Sequence, residues 1–212
     1  MKTAIIIGAT GLTGSLVLEQ LILDERYSKI VLFSRSSSGV HHSKVDEYLV
    51  DLLKLETSKA DFIADEVYCC IGTTKKKTPD KNVYKTIDYG IPVAAARLCK
   101  ANGIHTIAIV SAIGANPKSS IFYNRTKGEM EQDVLKEEIE RTYILRPSFI
   151  GGNRKEKRAG EKIGIAIFKF LKPLFIGGLK KYAIIDASKI ASKMIQLANS
   201  NEPSKVLESD EI

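Results

Sequence analysis

A glycine-rich turn between an apolar segment and a helix-like segment constrains the fold more than any other feature of this chain. The apolar segment Ala4–Ile7 runs directly into Gly8-Ala9-Thr10-Gly11-Leu12-Thr13-Gly14, and leucines at helical spacing continue to Leu23. A helix that begins at such a turn presents free N–H groups and its positive dipole end to a pyrophosphate, while glycine permits close backbone approach. We therefore predict a dinucleotide site formed by Gly8, Thr10, Gly11, Leu12, Thr13 and Gly14.

The rest of the chain alternates between apolar runs and helical patterns. The predicted strands after the first are Ile30–Phe33, Tyr48–Val50, Val67–Ile71, Thr106–Val110 and Tyr143–Leu145, and the long helices are Tyr84–Lys100 and Phe122–Glu138. Continuous apolar strands are buried on both faces, which indicates a parallel sheet covered by helices. With right-handed crossovers, the fold class is α/β, a doubly wound parallel sheet or Rossmann fold.

We interpret residues 1–212 as a single NAD(P)-binding domain. After Pro147 the sequence becomes charged, then apolar and then amphipathic, so residues 151–182 are predicted to form a small C-terminal cap or lid on the substrate side. The last residues, roughly 200–212, are predicted to be a polar tail.

The end of the second strand bears on the choice of cofactor. An NAD-binding chain usually has an Asp or Glu at this position to bind the ribose hydroxyls. Here the sequence reads Phe33-Ser34-Arg35-Ser36, with no carboxylate. A guanidinium flanked by hydroxyls suits a 2′-phosphate, so Ser34, Arg35 and Ser36 favour NADP(H) over NAD(H). The alternative is that Arg35 is an ordinary surface residue.

Two further strand ends supply candidate cofactor contacts. Asp51 and Leu52 follow the third strand, where an acid can accept a hydrogen bond from the adenine amino group. The fourth strand ends in Cys70, Ile71, Gly72 and Thr73, and Gly72 would let the backbone pass close to the adenosine. Both segments could instead be ordinary turns.

A serine, a tyrosine and a lysine follow the fifth strand in an order that suits proton transfer. Ser111 ends the strand, and the next helix carries Tyr123 and Lys127 at i, i+4 spacing on one face. A Tyr-x-x-x-Lys occurs about once by chance in such a chain, so position carries the argument. A nearby ammonium lowers the pKa of a phenol from ~10, so Tyr123 would exchange a proton with a substrate oxygen while hydride moves at the adjacent carbon. Ser111 would hydrogen-bond the same oxygen.

The segments GATGLTG, CIGTT, VSAIGA, YNRTK and LRPSFIGG resemble an atypical short-chain dehydrogenase/reductase, most closely the Tat-interactive-protein oxidoreductase family and its small bacterial relatives. The resemblance spans roughly residues 3–198. It implies an NADP(H)-dependent oxidoreductase with Ser111, Tyr123 and Lys127 as its triad, and with Pro147 and Ser148 at the nicotinamide end. Only about 60 residues follow the sixth strand, fewer than in sugar-nucleotide epimerase relatives.

Two functions therefore remain open from the sequence. The first is an NADP(H)-dependent oxidoreductase acting on a small carbonyl or alcohol substrate. The second, which the resemblance also implies, is an NADP(H)-binding redox-sensing or regulatory interaction protein with little turnover. The intact Ser111, Tyr123 and Lys127 favour the enzyme, because a sensor has no need of a phenol acid.

Charge and composition limit the partners. A net charge of +7 suggests anionic partners, but no basic strand with interleaved aromatics is present, so we expect no nucleic-acid binding. The apolar segment Ile163–Gly178 could lie on a membrane surface, although a substrate lid is the favoured interpretation. The histidines lack metal-ligand spacing, and no metal site is predicted.

The cysteines and two helices give the remaining expectations. Cys69 and Cys70 are adjacent in a predicted strand and are interpreted as buried thiols, which favours a reducing, cytoplasmic location. The predicted helices 84–100 and 122–138 could form a homodimer face.

Overall fold

The computed structural model describes residues 1–151 and 181–212, and its centre is a parallel sheet of seven strands. The sheet strands are β1 (Lys2–Ile7), β2 (Tyr27–Ser34), β3 (Val45–Leu49), β4 (Glu66–Cys69), β5 (Thr106–Val110), β6 (Arg141–Arg146) and β9 (Lys205–Glu208). Their spatial order is β3-β2-β1-β4-β5-β6-β9, and every neighbouring pair is parallel. The order reverses between β1 and β4, which is the place where ligands bind in doubly wound sheets.

Helices cover both faces of the sheet. The α-helices are α1 (Leu12–Leu23), α2 (Lys81–Lys85), α3 (Ile91–Asn102), α4 (Phe122–Leu135) and α5 (Ala187–Ala198). One core cluster joins α1 and α5 to one face of the sheet, and a second cluster joins α3 and α4 to the other. Adjacent strand residues such as Ile5 and Ile6 are fully buried in opposite clusters. Burial on both faces explains the continuous apolar runs, and the α/β doubly wound prediction is confirmed.

The segment predicted as one helix, Tyr84–Lys100, is interrupted. A π-helical turn at Thr86–Gly90 separates α2 from α3. Pro92 has no N–H to donate to the carbonyl of Asp88 four residues earlier, and the N–H of Ile91 instead bonds the carbonyl of Thr86 five residues back. The wider turn places Asp88 inside the protein, where it is almost fully buried.

The prediction of a polar tail at residues 200–212 is wrong. Lys205–Glu208 forms β9, which pairs in parallel with β6 and extends the sheet by one strand. Its Leu207 is fully buried against the α1 and α5 side of the core. The strand is four residues long with one fully buried apolar side chain, so its sequence carries too little periodicity to distinguish it from a loop.

Most of the predicted cap, 151–182, lies outside the described residues, as does the apolar segment Ile163–Gly178. At its two ends, Ile150–Gly151 (β7) pairs in parallel with Ile185–Asp186 (β8) as a separate two-stranded sheet. In the ranges 1–151 and 181–212, no helix combines the length and the apolar character that crossing a membrane requires.

Candidate functional site

The glycine turn has the backbone geometry of an anion-binding helix start. Gly8 adopts a φ of +90°, and a Cβ there would lie 3.0 Å from the carbonyl oxygen of Cys70. A Cβ on Gly14 would lie only 2.2 Å from the carbonyl oxygen of Gly8, so α1 packs directly on the turn. Helix α1 begins after Gly11 without a side-chain cap or an acidic residue in its first turn. Its N–H groups therefore suit a pyrophosphate.

The end of β2 offers one buried hydroxyl and one exposed cation. Ser34 is buried, and its Oγ makes no hydrogen bond within the described parts of the chain. Arg35 and Ser36 are exposed at the same strand end. An unsatisfied buried hydroxyl beside an exposed guanidinium fits a polar ligand group such as a ribose phosphate.

The predicted adenine contacts have structural roles of their own. The Asp51 carboxylate accepts a hydrogen bond of 3.0 Å from the N–H of Leu53 and caps a short 3₁₀ helix, Leu52–Ser58. Leu52 is buried in the core. The N–H of Val50 donates to the carbonyl of Ser34 at 2.9 Å, which keeps this loop beside the end of β2. Asp51 therefore has a structural role as a helix cap, and its contact with a cofactor stays a prediction.

The segment after β4 joins the glycine turn to the Tyr–Lys helix. The N–H of Cys70 continues the pairing with the carbonyl of Ile7, at 2.9 Å, and Ile71 lies beside Gly8. The N–H of Thr73 donates to Oδ2 of Asp88 at 2.8 Å. Gly72, between Ile71 and Thr73 in the chain, is exposed. The predicted residues Cys70, Ile71, Gly72 and Thr73 therefore form a bridge from the glycine turn to Asp88.

Lys127 is buried and paired. It lies in the second turn of α4, its side chain is 4% exposed, and its Nζ is 3.0 Å from Oδ1 of Asp88. Burial alone would lower the pKa of Lys127, but the Asp88 carboxylate and then Tyr123 raise it, and the net result lies above the usual value. Lys127 is consequently a cation over the physiological pH range.

Tyr123 lies one turn before Lys127 and remains 39% exposed. It is close enough to interact electrostatically with Lys127, as the i, i+4 spacing predicts. Its ring meets Tyr84 edge-on with centroids 6.5 Å apart, and the Tyr84 hydroxyl donates to the carbonyl of Thr73 at 3.3 Å. A solvent-accessible phenol beside a buried ammonium can exchange a proton with a bound molecule.

Ser111 makes a different contact from the one predicted. It is buried at the end of β5, and its Oγ donates to the carboxylate of Glu131. Arg146 grips Glu131 with Nε at 3.0 Å and Nη2 at 2.6 Å, and also reaches Glu208 at 2.9 Å. A hydroxyl has one proton, so Ser111 can accept a further hydrogen bond here but cannot donate one. Its catalytic role stays a prediction.

The two residues implied at the nicotinamide end follow β6 at the same edge of the sheet. The carbonyl of Pro147 accepts from the N–H of Ile113 at 3.0 Å, two residues beyond Ser111. Ser148 donates its N–H to Ser209 at 3.1 Å and its hydroxyl to the carbonyl of Ala183. Ser148 therefore links the ends of β6 and β9 to the residues before β8, and its contact with nicotinamide stays a prediction.

Sequence reasoning missed the charged partners, although one of them left a signal. Asp88 is the single acidic residue between Asp80 and Glu129, and the apolar run 91–96 begins three residues later, which is a local signal of a buried acid with a specific partner. Glu131 continues the helix face of Tyr123 and Lys127 at i+8 and i+4. Nothing in the local sequence indicates that Arg146 pairs with Glu131.

Known proteins similar to this chain identify its family. A scan of protein-family models finds no match. The chain is 34% identical over 199 residues to protein FMP52, mitochondrial, of Candida albicans, which covers 91% of this chain and 86% of the relative. It is 29% identical over 181 residues to protein HTATIP2 of Rattus norvegicus, covering 84% of this chain and 74% of the relative. The chain belongs to the family of these proteins, an atypical short-chain dehydrogenase/reductase family with an NAD(P)-binding fold.

A solved structure supports the fold independently. The UDP-glucuronic acid 4-epimerase of Bacillus cereus in complex with NAD superposes with a TM-score of 0.72 at 14% identity, over 97% of this chain and 77% of the other. At this identity the likeness shows a Rossmann-type α/β fold.

The predicted cytoplasmic location is wrong, because the FMP52 relatives are named as mitochondrial proteins. The prediction rested on the cysteines, and those are indeed free. Burial raises the pKa of the Cys69 thiol to about 11 and that of Cys70 further. Free thiols with a raised pKa are compatible with any reducing compartment, so they cannot identify one.

Proposed function

We propose that the protein is an NADP(H)-dependent oxidoreductase that moves a hydride to or from a small carbonyl or alcohol substrate. The observation that carries this proposal is the pairing of an accessible phenol, Tyr123, with a buried cationic Lys127 on one helix face. The pair follows β5 at the sheet edge that also carries the glycine turn. Ligands and reacting groups meet at this edge in doubly wound folds.

The residues present would hold the cofactor along the carboxyl ends of the strands. The pyrophosphate would lie at the start of α1, against the Gly8–Gly14 turn. Arg35, with Ser34 and Ser36, would bind the 2′-phosphate and so favour NADP(H) over NAD(H). Pro147 and Ser148 would line the nicotinamide end. The NAD in complex with the Bacillus cereus epimerase supports a nicotinamide dinucleotide in this fold. When bound, the cofactor supplies or receives the hydride.

The chain's own contribution is control of one proton. In reduction, the Tyr123 hydroxyl would donate its proton to the substrate oxygen as hydride reaches the adjacent carbon, and in oxidation it would take that proton back. Lys127 stabilises the phenolate form that results. Within residues 1–151 and 181–212, Lys127 forms an ion pair with Asp88, and its remaining ammonium protons would be available to the phenolate and to the cofactor ribose.

A second candidate is a cofactor-binding regulatory protein with little turnover. It is favoured by one observation, namely that Ser111 gives its proton to Glu131 and therefore offers no donor to an oxyanion. If that hydrogen bond persists with substrate bound, the site loses a stabilising contact that this kind of reaction ordinarily uses.

The test begins with the cofactor. We expect the purified chain to bind NADPH more tightly than NADH, measured by nucleotide fluorescence. Arg35→Ala should weaken NADPH binding about 10-fold to 100-fold, the value of a charge-assisted hydrogen bond, with little effect on NADH. Arg26→Ala is the matched control, because Arg26 precedes β2 at the opposite end and pairs with Asp24. Equal affinity for both nucleotides would contradict the NADP(H) assignment.

Activity is then screened as oxidation of NADPH by a panel of aldehydes and ketones. The oxidoreductase proposal predicts turnover with at least one small carbonyl compound and loss of that turnover in Tyr123→Phe. Nucleotide binding without turnover across the panel, unchanged by Tyr123→Phe, would favour the regulatory protein.

A further inference from the structure

We propose that Asp88 is the positioning residue of this site: it is the counter-ion that keeps Lys127 protonated beside Tyr123, and through Lys127 it sets the pH at which the Tyr123 phenol ionises. The inference rests on the proposed function in one respect only, because it assumes that ionisation of Tyr123 matters to the reaction.

Both carboxylate oxygens of Asp88 have a partner, one on α4 and one in the segment after β4. Oδ1 lies 3.0 Å from Nζ of Lys127 on α4, and Oδ2 accepts from the N–H of Thr73 at 2.8 Å. Asp88 is 1% exposed, and the π-helical turn fixes its backbone. Single-turn π elements are rare and occur frequently at functional sites. Asp88 is therefore a fixed charge and not a flexible surface acid.

Lys127 needs such a charge because its environment opposes an ammonium. The groups that face it are Asp88 from the π-helical turn, Tyr123 from its own helix and Cys69 from β4. Burial raises the pKa of Cys69 to about 11, so that thiol is neutral. Glu131, one turn further along α4, is already held by Arg146. Within the described ranges, Asp88 is the carboxylate that forms an ion pair with Lys127.

The pair has a consequence for the phenol. An isolated buried ammonium would lose its proton well below the usual Lys pKa, and a neutral amine does not stabilise a phenolate. With Asp88 in place, Lys127 stays charged and can stabilise a phenolate at Tyr123. The N–H of Thr73 holds Oδ2, so the carboxylate keeps a fixed orientation with Oδ1 on Lys127.

The first experiment measures the pH dependence of folding without any ligand. Urea unfolding is followed from about pH 7 to about pH 10 for the original chain, Asp88→Asn, Lys127→Met and the double variant. The Asn oxygen can still accept from Thr73, so only the charge is removed. In Asp88→Asn, native Lys127 is neutral while the unfolded chain binds a proton, so the folding equilibrium constant should rise by up to about tenfold per pH unit.

The controls distinguish this linkage from a structural role. The original chain should lack the added slope because Lys127 stays protonated, and the double variant should lack it because the amine is gone. If Asp88→Asn does not fold, recovery of folding in the double variant would support the uncompensated charge as the cause. The proposal would be overturned if the folding equilibrium constant changed equally with pH in Asp88→Asn and in the double variant, or if neither variant folded. Asp88 would then have only the structural role of accepting a hydrogen bond from the N–H of Thr73.

The second experiment measures the ionisation of the Tyr123 phenol directly. The near-ultraviolet phenolate absorbance of the chain minus that of its Tyr123→Phe variant gives the titration of Tyr123. The same difference in the Asp88→Asn background should shift to higher pH by about one unit or more. An unchanged titration would overturn the link from Asp88 to Tyr123. These results need no cofactor, so a chain that shows them but does not bind NADPH would refute the proposed function and leave the charge pair standing.

Discussion

Two clusters of tyrosine, lysine and carboxylate lie at opposite ends of the same sheet, and they place their phenols in opposite electrostatic surroundings. At the amino ends of the strands, Glu66 is buried and receives hydrogen bonds from the hydroxyls of Tyr27 and Tyr68. Lys2 reaches the same carboxylate at 2.9 Å. At the carboxyl ends, Tyr123 interacts with Lys127, and Lys127 pairs with the carboxylate of Asp88.

The order of charges decides what each phenol can do. Burial and the neighbouring Glu66 raise the pKa of both Tyr27 and Tyr68 above the usual value, so these hydroxyls keep their protons and serve as permanent donors. Tyr123 interacts with the cation Lys127, and its side chain is exposed. Residue types alone therefore do not define a proton-transfer site. What matters is which charge lies nearest to the phenol.

Removing one phenol hydroxyl at each end of the sheet should have opposite consequences for turnover and for stability, and the change in turnover should be the greatest effect. Tyr123→Phe should reduce NADPH-dependent turnover about 10²-fold to 10⁴-fold, the usual contribution of a general acid. Its unfolding free energy should change by no more than about 0.5 kcal/mol, because the ring against Tyr84 is kept. Tyr68→Phe should do the reverse, lowering the unfolding free energy by about 1–3 kcal/mol as Glu66 loses a donor, with turnover retained.

Steady-state kinetics and urea unfolding on both variants complete this test. A Tyr68→Phe protein that folds normally but loses turnover would show that the two ends are not separate in function. A stable Tyr123→Phe protein with full turnover would remove the distinction between the two phenols.

The same contrast shows what can be predicted from the sequence. The glycine turn and the i, i+4 relation of Tyr123 to Lys127 are local, so spacing and flanking pattern suffice to predict them. The charge that faces each phenol is not local. Asp88 is 39 residues before Lys127 in the chain, and Tyr27 is separated from Glu66 by the same interval. Those contacts are set by strand order and helix packing.

The remaining errors have physical causes of the same kind. The strand β9 was missed because its stability comes from the edge of β6 that it joins, and not from its own four residues. The interruption at Thr86–Gly90 was missed although Pro92 was visible, because a proline near a helix start is usually tolerated. The hydrogen bond from Ser111 to Glu131 was also not predicted, because Glu131 comes 20 residues later in the chain.

A substitution in the closely packed helix α4 should have a smaller effect, and it should disturb only the carboxyl end of the sheet. Helix α4 approaches the preceding loop so closely that a Cβ on Gly128 would lie 2.2 Å from the backbone nitrogen of Pro117. Gly128→Ala should therefore displace the start of α4 and cost about 1–3 kcal/mol of unfolding free energy. Gly90→Ala is the control, because among the described residues the nearest side-chain contact of its Cβ would be the Thr86 methyl group, at 3.7 Å.

The Gly128→Ala displacement should be confined to the carboxyl end of the sheet. We expect NADPH affinity and the titration of Tyr123 to change in this variant, while the high-pH titration of Tyr27 and Tyr68 stays as it was. A change at both ends, seen in the phenolate absorbance, would mean that the sheet transmits the strain.

The smallest effect concerns stability in alkali and tests the amino end alone. An unfolded Tyr loses its proton near pH ~10. Native Tyr68 holds its proton to much higher pH, because burial and Glu66 raise its pKa. Above about pH 10 the native state therefore binds more protons than the unfolded state, and the unfolding free energy falls as pH rises. Tyr68→Phe should make this fall shallower by at most about 1.4 kcal/mol per pH unit, measured by urea unfolding. Tyr123→Phe should not make it shallower by a comparable amount, because Tyr123 is exposed and faces a cation. If Tyr68→Phe and Tyr123→Phe reduce the fall of unfolding free energy with pH equally, the two phenols have the same electrostatic environment, and the distinction between the ends of the sheet is wrong.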